Sequence, residues 1–275
     1  MIKTGAGNPS QPGSLRRGMQ LIEIKSRREV EKMRRAGRVV AQVLQEIAEC
    51  LQPGWTTADI DAYAERRVAE LNALPSFKGY YGFPACVCVS VNHEVVHGIP
   101  SPRKVVQPGD IVKVDFGAIV EGWHADSCIT IGLEPLSDAA RDLIDTAAKA
   151  LQTGIDHVRH GVWLQDVSGA IEDYIQGRGY SVVKQYVGHG VGRNLHEEPQ
   201  FPHYRTRDLP NPKLRSGMTV AIEPMVNAGG EATRVLSDGW TVVTVDGSWS
   251  AQFEHTVLIT DSGAEILTDR TPFQS

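Results

Sequence analysis

Apolar or small residues recur at Val30, Met33, Gly37, Val40, Val43, Leu44 and Ile47. That spacing is one face of an α-helix. Ser26 and Glu29 fit a capping box in front of it, and Pro53-Gly54 behind it stops it. A helix is predicted from Ser26 to about Leu51. A second helix, capped by Thr57, is predicted through Ile60, Tyr63, Val68 and Leu71. The period then changes. Cys86–Val91, Ile111–Val120 and Trp123–Leu133 are rich in β-formers, and Glu121-Gly122 between the last two predicts a hairpin.

The order then repeats. Helices are predicted from Ser137 to about Gly154 and from Trp163 to Gln176. Strands follow at Tyr180–Val187, Met218–Val226, Trp240–Val245 and Phe253–Thr260. Two helices then strands, twice over, is an α+β chain of two similar halves, not a βαβ alternation. At roughly 150 residues per domain, 275 residues allow one large or two small domains. No Pro/Gly/Ser-rich linker separates the halves, so residues 21–275 are read as one domain. Residues 1–20 are rich in Gly, Pro and Ser, and read as a disordered extension.

Composition narrows the function. The 28 Lys+Arg against 33 Asp+Glu leave a formal net charge of −5, which argues against a surface devoted to nucleic acid. No apolar run approaches the ~18–20 residues of a membrane span. Cys50, Cys86, Cys88 and Cys128 form no C-x-x-C pair and read as free thiols in a reducing compartment.

His93-Glu94-Val95-Val96-His97 matches H-E-x-x-H, a zinc motif when it lies on a helix. Here a strand pattern precedes it and Gly98-Ile99-Pro100 follows, so a helix is not expected and the zinc reading is refused.

Four acids lie inside apolar, β-prone runs: Asp115, Asp126, Glu223 and Glu254. A buried acid is costly unless it is paired or bound to a cation. A hairpin at Glu121-Gly122 would bring Asp115 and Asp126 to nearby rungs, where unpaired carboxylates repel. His189 adds an imidazole within Gly188-His189-Gly190. Two readings fit these residues: ion pairs with Lys113, Arg193 or Arg234, or two divalent cations held by oxygen and nitrogen donors.

The strings VVHGIP (Val95–Pro100), VDFGAIVEGWHADS (Val114–Ser127), GHGVGRNLHEEP (Gly188–Pro199), IEPMVNAG (Ile222–Gly229) and SAQFEHT (Ser250–Thr256) resemble the type I methionine aminopeptidases. The resemblance runs from about Ile22 to Thr268. It implies a pita-bread fold, an antiparallel sheet with helices on its outer face and pseudo-two-fold halves. It implies removal of the initiator methionine from nascent proteins with a small second residue. Its metal ligands map onto Asp115, Asp126, His189, Glu223 and Glu254, holding two divalent ions (Co, Mn, Fe or Zn), with Asp126 and Glu254 bridging them. His97 and His196 map as catalytic and substrate-binding residues, and Phe77, Tyr80, Phe83, Cys88, Leu195 and Trp240 as the methionine pocket.

The expected mechanism follows. A water bridging the ions is acidified to hydroxide and attacks the first carbonyl. Glu223 takes its proton as general base, His196 stabilises the oxyanion, and His97 holds the scissile amide nitrogen. The expected setting is a monomer in the cytoplasm or an organellar stroma, with transient ribosome contact and neither membrane nor specific nucleic acid as partner. Phe77, Val96 and Leu195 depart from residues common in the family. His93 receives no role, and His255, beside a bridging ligand, is the unassigned histidine expected nearest the metal shell. A prolidase or aminopeptidase P is the rival peptidase, disfavoured because only about twenty residues precede the first helix. A non-catalytic module that had lost its metals is the rival of another class, and the intact ligand set opposes it.

Overall fold

The computed structural model describes residues 2–3 and 21–273. The expectation of disorder over residues 1–20 lies outside these, Ile2–Lys3 aside, which form strand β1. In the first half, α1 (Arg27–Cys50) and α2 (Thr57–Glu70) precede β2 (Leu74–Pro75), β3 (Val87–Val91), β4 (Glu94–Val96), β5 (Ile111–Val120) and β6 (Trp123–Gly132). In the second, α3 (Asp138–His157) and α4 (Leu164–Gly177) precede β7 (Ser181–Val182), β8 (Tyr186–Gly190), β9 (Glu197–Phe201), β10 (Thr219–Ile222) and β11 (Met225–Asn227). The chain then adds β12 (Thr233–Val235), β13 (Val242–Thr244), β14 (Ser250–Gln252), β15 (His255–Ile259) and β16 (Ala264–Ile266).

Ser26 caps α1 through the expected capping box with Glu29, and the predicted stripe is buried. The second cap is Thr56, one residue before the expected Thr57. Its hydroxyl accepts from the Asp59 N–H, and Asp59 answers as the acid of a capping box. Thr57 is instead buried, with its hydroxyl bonded to Ser101.

Each helix pair covers one sheet system. The apolar face of α1 and α2 packs on Val87, Val89, Val112, Val114 and Phe116 of the first half. That of α3 and α4 packs on Val187, Val220, Ile222 and Val257 of the second. The strand pairs described are antiparallel throughout, including β5 with β6 and β8 with β10. The two halves thus repeat one plan, helices outside and strands within, and the polar inner surface lies between them.

Two predicted strands break. Met218–Val226 divides at Glu223-Pro224, because proline has no N–H to continue a ladder. Tyr180–Val187 divides around Lys184-Gln185, and its second piece runs on to Gly190, taking His189 into the sheet. Strand β9 was not expected from its polar Glu197-Glu198-Pro199. It forms because Glu197 is neutralised by Lys25 at 2.5 Å, both side chains almost wholly buried. His93–His97 forms no helix: Glu94–Val96 is a strand, and Glu94 pairs with Lys104 and accepts the Val91 N–H.

Candidate metal centre and pocket

The β5–β6 hairpin positions the first two acids. Its turn is Glu121-Gly122, both with positive φ (50° and 76°), which matches the twist of a tight hairpin. Asp115 stands opposite Cys128, and Asp126 opposite Gly117. Opposed residues share a face, as do alternate residues of one strand. Asp115 and Asp126 are therefore diagonal neighbours on one face.

His189 arrives on β8, beside Ala221 of β10. Its neighbour Gly188 has no room for a side chain: a Cβ there would lie 2.3 Å from the Ala221 carbonyl oxygen. His189 Nδ1 lies 2.8 Å from the Gly190 carbonyl, so that nitrogen carries the proton and Nε2 presents its lone pair to the acids. Nε2 is 3.6 Å from Glu223 Oε1 and 3.9 Å from Asp126 Oδ2. Burial drives the His189 pKa well below its ordinary value. The ring is neutral and these contacts are not ion pairs.

Glu223 sits at the break between β10 and β11. Its N–H, released from the ladder, donates to His203 Nε2 at 3.0 Å, and Gln252 Nε2 lies 3.3 Å from its Oε2. Glu254 occupies the corner between β14 and β15, where its N–H donates to the Cys128 carbonyl at 2.9 Å and its carbonyl accepts from the Ser127 hydroxyl. The Thr256 hydroxyl accepts the Asp126 N–H at 2.9 Å and donates to the Asp126 carbonyl at 2.8 Å. These bonds fix the backbone and leave one oxygen of each carboxyl group without a partner.

Five buried atoms then stand without a hydrogen-bond partner: Asp115 Oδ1, Asp126 Oδ1, His189 Nε2, Glu223 Oε1 and Glu254 Oε1. One comes from each residue of the expected ligand set. Ligand atoms of Asp126, His189 and Glu254 lie within 4.8 Å of one another. Burial, reinforced by the other carboxylates, holds Asp115 and Glu254 well above the usual carboxylate range. It pushes Glu223 up to about 8 and Asp126 to about 6. Without a cation this cluster holds protons it would not keep in water.

The ion-pair reading fails on the same geometry. Lys113 donates to the carbonyls of Asn92 and Ser250, the Arg193 guanidinium lies 4.6 Å from the Trp123 ring centroid, and Arg234 is on the exposed strand β12. Among the described residues no lysine or arginine pairs with the four acids. Unpartnered carboxylate oxygens and one neutral imidazole are the donors that divalent first-row metals take. The residues fit a metal centre.

The expected histidines stand at its edge. His196 stacks edge-on with His189 at 4.2 Å between ring centroids, and its Nδ1 lies 2.7 Å from the Tyr80 hydroxyl. His97 follows β4 with φ of 57°. Its ring meets Tyr186 edge-on at 5.6 Å and Trp240 at 6.4 Å, and burial lowers its pKa to about 3. Both rings are neutral near pH 7.

Phe77, Phe83, Cys88 and Leu195 form one small apolar cluster, with Tyr80 and Trp240 half-buried against it. Phe83 and Trp240 are T-shaped at 5.1 Å. Cys88 stands opposite Asp115 on β3, and Tyr80 touches His196. The structure therefore brings all six expected pocket residues together at the rim of the acids.

Some contributors carried no signal in the chain. His203 looks like any loop histidine. Gln252 and Thr256 did carry one: with Glu254 they alternate, and alternate residues of an extended chain face one way. His255 turns from the metal shell toward Thr268 Oγ1 at 2.8 Å and Arg270. Arg270 in turn donates to Ser127 Oγ at 2.8 Å.

Comparison with known proteins agrees with this geometry. The profile of metallopeptidase family M24 matches residues 31–261. Methionine aminopeptidase 1 of Bacillus subtilis is 47% identical, over 90% of this chain and 99% of its own. The methionine aminopeptidase of Escherichia coli K12 is 42% identical, over 90% and 94%. The crystal structure of methionine aminopeptidase from Thermotoga maritima superposes with a TM-score of 0.88 at 45% identity, covering 90% of this chain and all of that one. The fold is thus the pita-bread fold, and the chain belongs to metallopeptidase family M24, among its methionine aminopeptidases.

Proposed function

We propose that this protein hydrolyses the first peptide bond of new polypeptides, releasing the initiator methionine when the second residue is small. The observation that carries the reading is the set of five unpartnered buried donors beside an aromatic and thiol-lined cluster. Asp115, Asp126, His189, Glu223 and Glu254 would hold two divalent ions (Co, Mn, Fe or Zn). Such ions supply a coordinated water of lowered pKa and a Lewis acid for the substrate carbonyl.

The remaining work falls to the chain's own groups. Without a cation, burial raises the Glu223 carboxyl to about 8; divalent cations beside it would lower that value again and leave it a carboxylate near neutral pH. It serves as the general base. His196 receives a hydrogen bond from Tyr80 at Nδ1, so its single ring proton sits on Nε2 and donates to the oxygen that gains charge. Neutral His97 hydrogen-bonds the scissile amide and orients it for departure. Phe77, Tyr80, Phe83, Cys88, Leu195 and Trp240 take the methionine side chain, since thioether sulfur packs favourably on aromatic edges. Residues 21–275 act as one catalytic domain, working as a cytoplasmic monomer with transient access to ribosome-borne chains.

The test is release of free methionine from Met-Ala-Ser peptides, run beside Ala-Pro peptides and with metal analysis. Methionine release that tracks bound metal and is lost in Asp126→Ala supports the reading. Cleavage of the Ala-Pro peptide alone sinks it in favour of a prolidase-like enzyme.

A further inference from the structure

Strand β8 carries His189 into the metal centre, and its first two residues pair with an extended chain. Ile2 lies opposite Val187 and Lys3 opposite Tyr186, antiparallel. Such pairing uses main-chain groups and reads no particular side chain. Its direction is informative. Moving from Lys3 to Ile2 is moving from Tyr186 to Val187, toward His189 on the same strand. A chain laid in this lane therefore points its N-terminal end at the metal centre. His97 stands beside the lane, edge-on to Tyr186, with Trp240 of the pocket on another side. Lane and pocket meet at His97.

We propose that Tyr186–Val187 is the docking edge for the polypeptide beyond the scissile bond. The second and third residues of the substrate add to β8 as an antiparallel strand, in the lane that Ile2–Lys3 fills in cis. This rests on the aminopeptidase reading and says how that site recognises its substrate class. New proteins share a first residue and little else, so the grip beyond it must be blind to sequence. Main-chain hydrogen bonds provide that grip. Antiparallel polarity admits only a chain whose N-terminus leads toward the donors, which suits an enzyme that cuts at chain ends. Successive side chains of a strand point to opposite faces. A size limit on the second residue therefore does not extend to the third. The chain's own β1 is then a competitor for substrate.

The test uses two proteins: the full chain, and a variant in which residues 2–20 are deleted so that Met1 precedes Leu21. Each is assayed with Met-Ala-Ser-Lys peptides holding L-Ser or D-Ser at the third residue. A D residue cannot continue a strand, and loss of one strand hydrogen bond changes kcat/KM by a factor of about 2–10. The expected result is that kcat/KM falls by at least that factor with D-Ser in both proteins, and that deletion lowers KM for the L peptide with kcat unchanged. Equal kcat/KM for the D and L peptides in the truncated variant overturns the proposal and leaves the edge to β1 as a purely structural strand. So does an unchanged KM on deletion. If the deletion variant fails to fold, the D/L ratio of the full chain decides alone. If neither protein releases methionine from the L peptide, the aminopeptidase reading itself falls, which is a different outcome.

Discussion

Tyr80 Oη lies 2.7 Å from Nδ1 of His196. Burial pushes the Tyr80 pKa up to about 12, so the phenol keeps its proton and donates it to Nδ1. The His196 tautomer is thereby set with hydrogen on Nε2, the nitrogen that would meet substrate. Tyr80→Phe retains the ring in the pocket and removes this bond. The expected outcome is a fall of about tenfold in kcat, the worth of roughly one hydrogen bond, with KM little changed. Steady-state kinetics checks it. A raised KM at constant kcat would assign Tyr80 to the pocket wall alone.

Thr256 ties the backbone of Asp126 on both sides, accepting its N–H and donating to its carbonyl. Thr256→Val keeps the shape and strands two buried polar groups. Stability should drop by about 1–3 kcal/mol. Metal affinity should fall about 10–100-fold, as when a ligand's support is lost. Thermal melts and metal titration measure the two effects separately. A variant that melts lower with unchanged affinity would show that Thr256 supports the sheet and not the ligand.

Chelation should make stability fall as pH rises. The Glu223 carboxyl is held at about 8 in the fold, against about 4.5 for an exposed glutamate. A group with a raised folded pKa contributes stability at low pH, and that contribution is lost as pH climbs through the folded value. Buried neutral histidines act oppositely, but only below about pH 6.5, where unfolded histidine charges. Between about pH 7 and about pH 8.5 buried Lys113, lowered to about 7, opposes Glu223, but Asp115 and Glu254 are raised well above the usual range with it, so the carboxyl effect prevails. The melting temperature of chelated protein should decline across that window, and added Mn²⁺ should flatten the decline. Flat melting temperatures in the chelated protein would mean that the acids are already paired.

Gly188→Ala tests the tight pairing that delivers His189. The added Cβ would press on the Ala221 carbonyl oxygen at 2.3 Å, a backbone atom that cannot rotate away. Overpacking of this kind costs about 1–3 kcal/mol or more. The prediction is a lowered melting temperature together with weakened metal binding, since the imidazole moves with the strand. Wild-type metal affinity in a destabilised variant would uncouple the two.

Much of the architecture was legible in the chain, and for identifiable reasons. The helix α1 announced itself through a cap, a stripe and a stop. The hairpin announced itself through Glu121-Gly122 between two β-rich runs. The acids stood out because a carboxylate amid valines needs an explanation. What stayed hidden depended on partners distant in sequence. Glu197 reads as a surface residue until Lys25 neutralises it, and with it strand β9 goes unseen. His203 gains meaning only because Pro224 forces the ladder to release the Glu223 N–H. The cap of α2 moved by one residue because Thr56 and Thr57 are equally good caps, and Ser101, far along the chain, claims the second hydroxyl.

The hairpin that pairs Asp115 with Asp126 has a consequence for how the molecule comes into being. Both acids are translated long before His189, Glu223 and Glu254. An early folding intermediate holding only the first half would bring two anions together with nothing to balance them. A cation captured at that stage would relieve the repulsion, and the later donors would close around it, so a bound ion would also serve as a template for docking the second half.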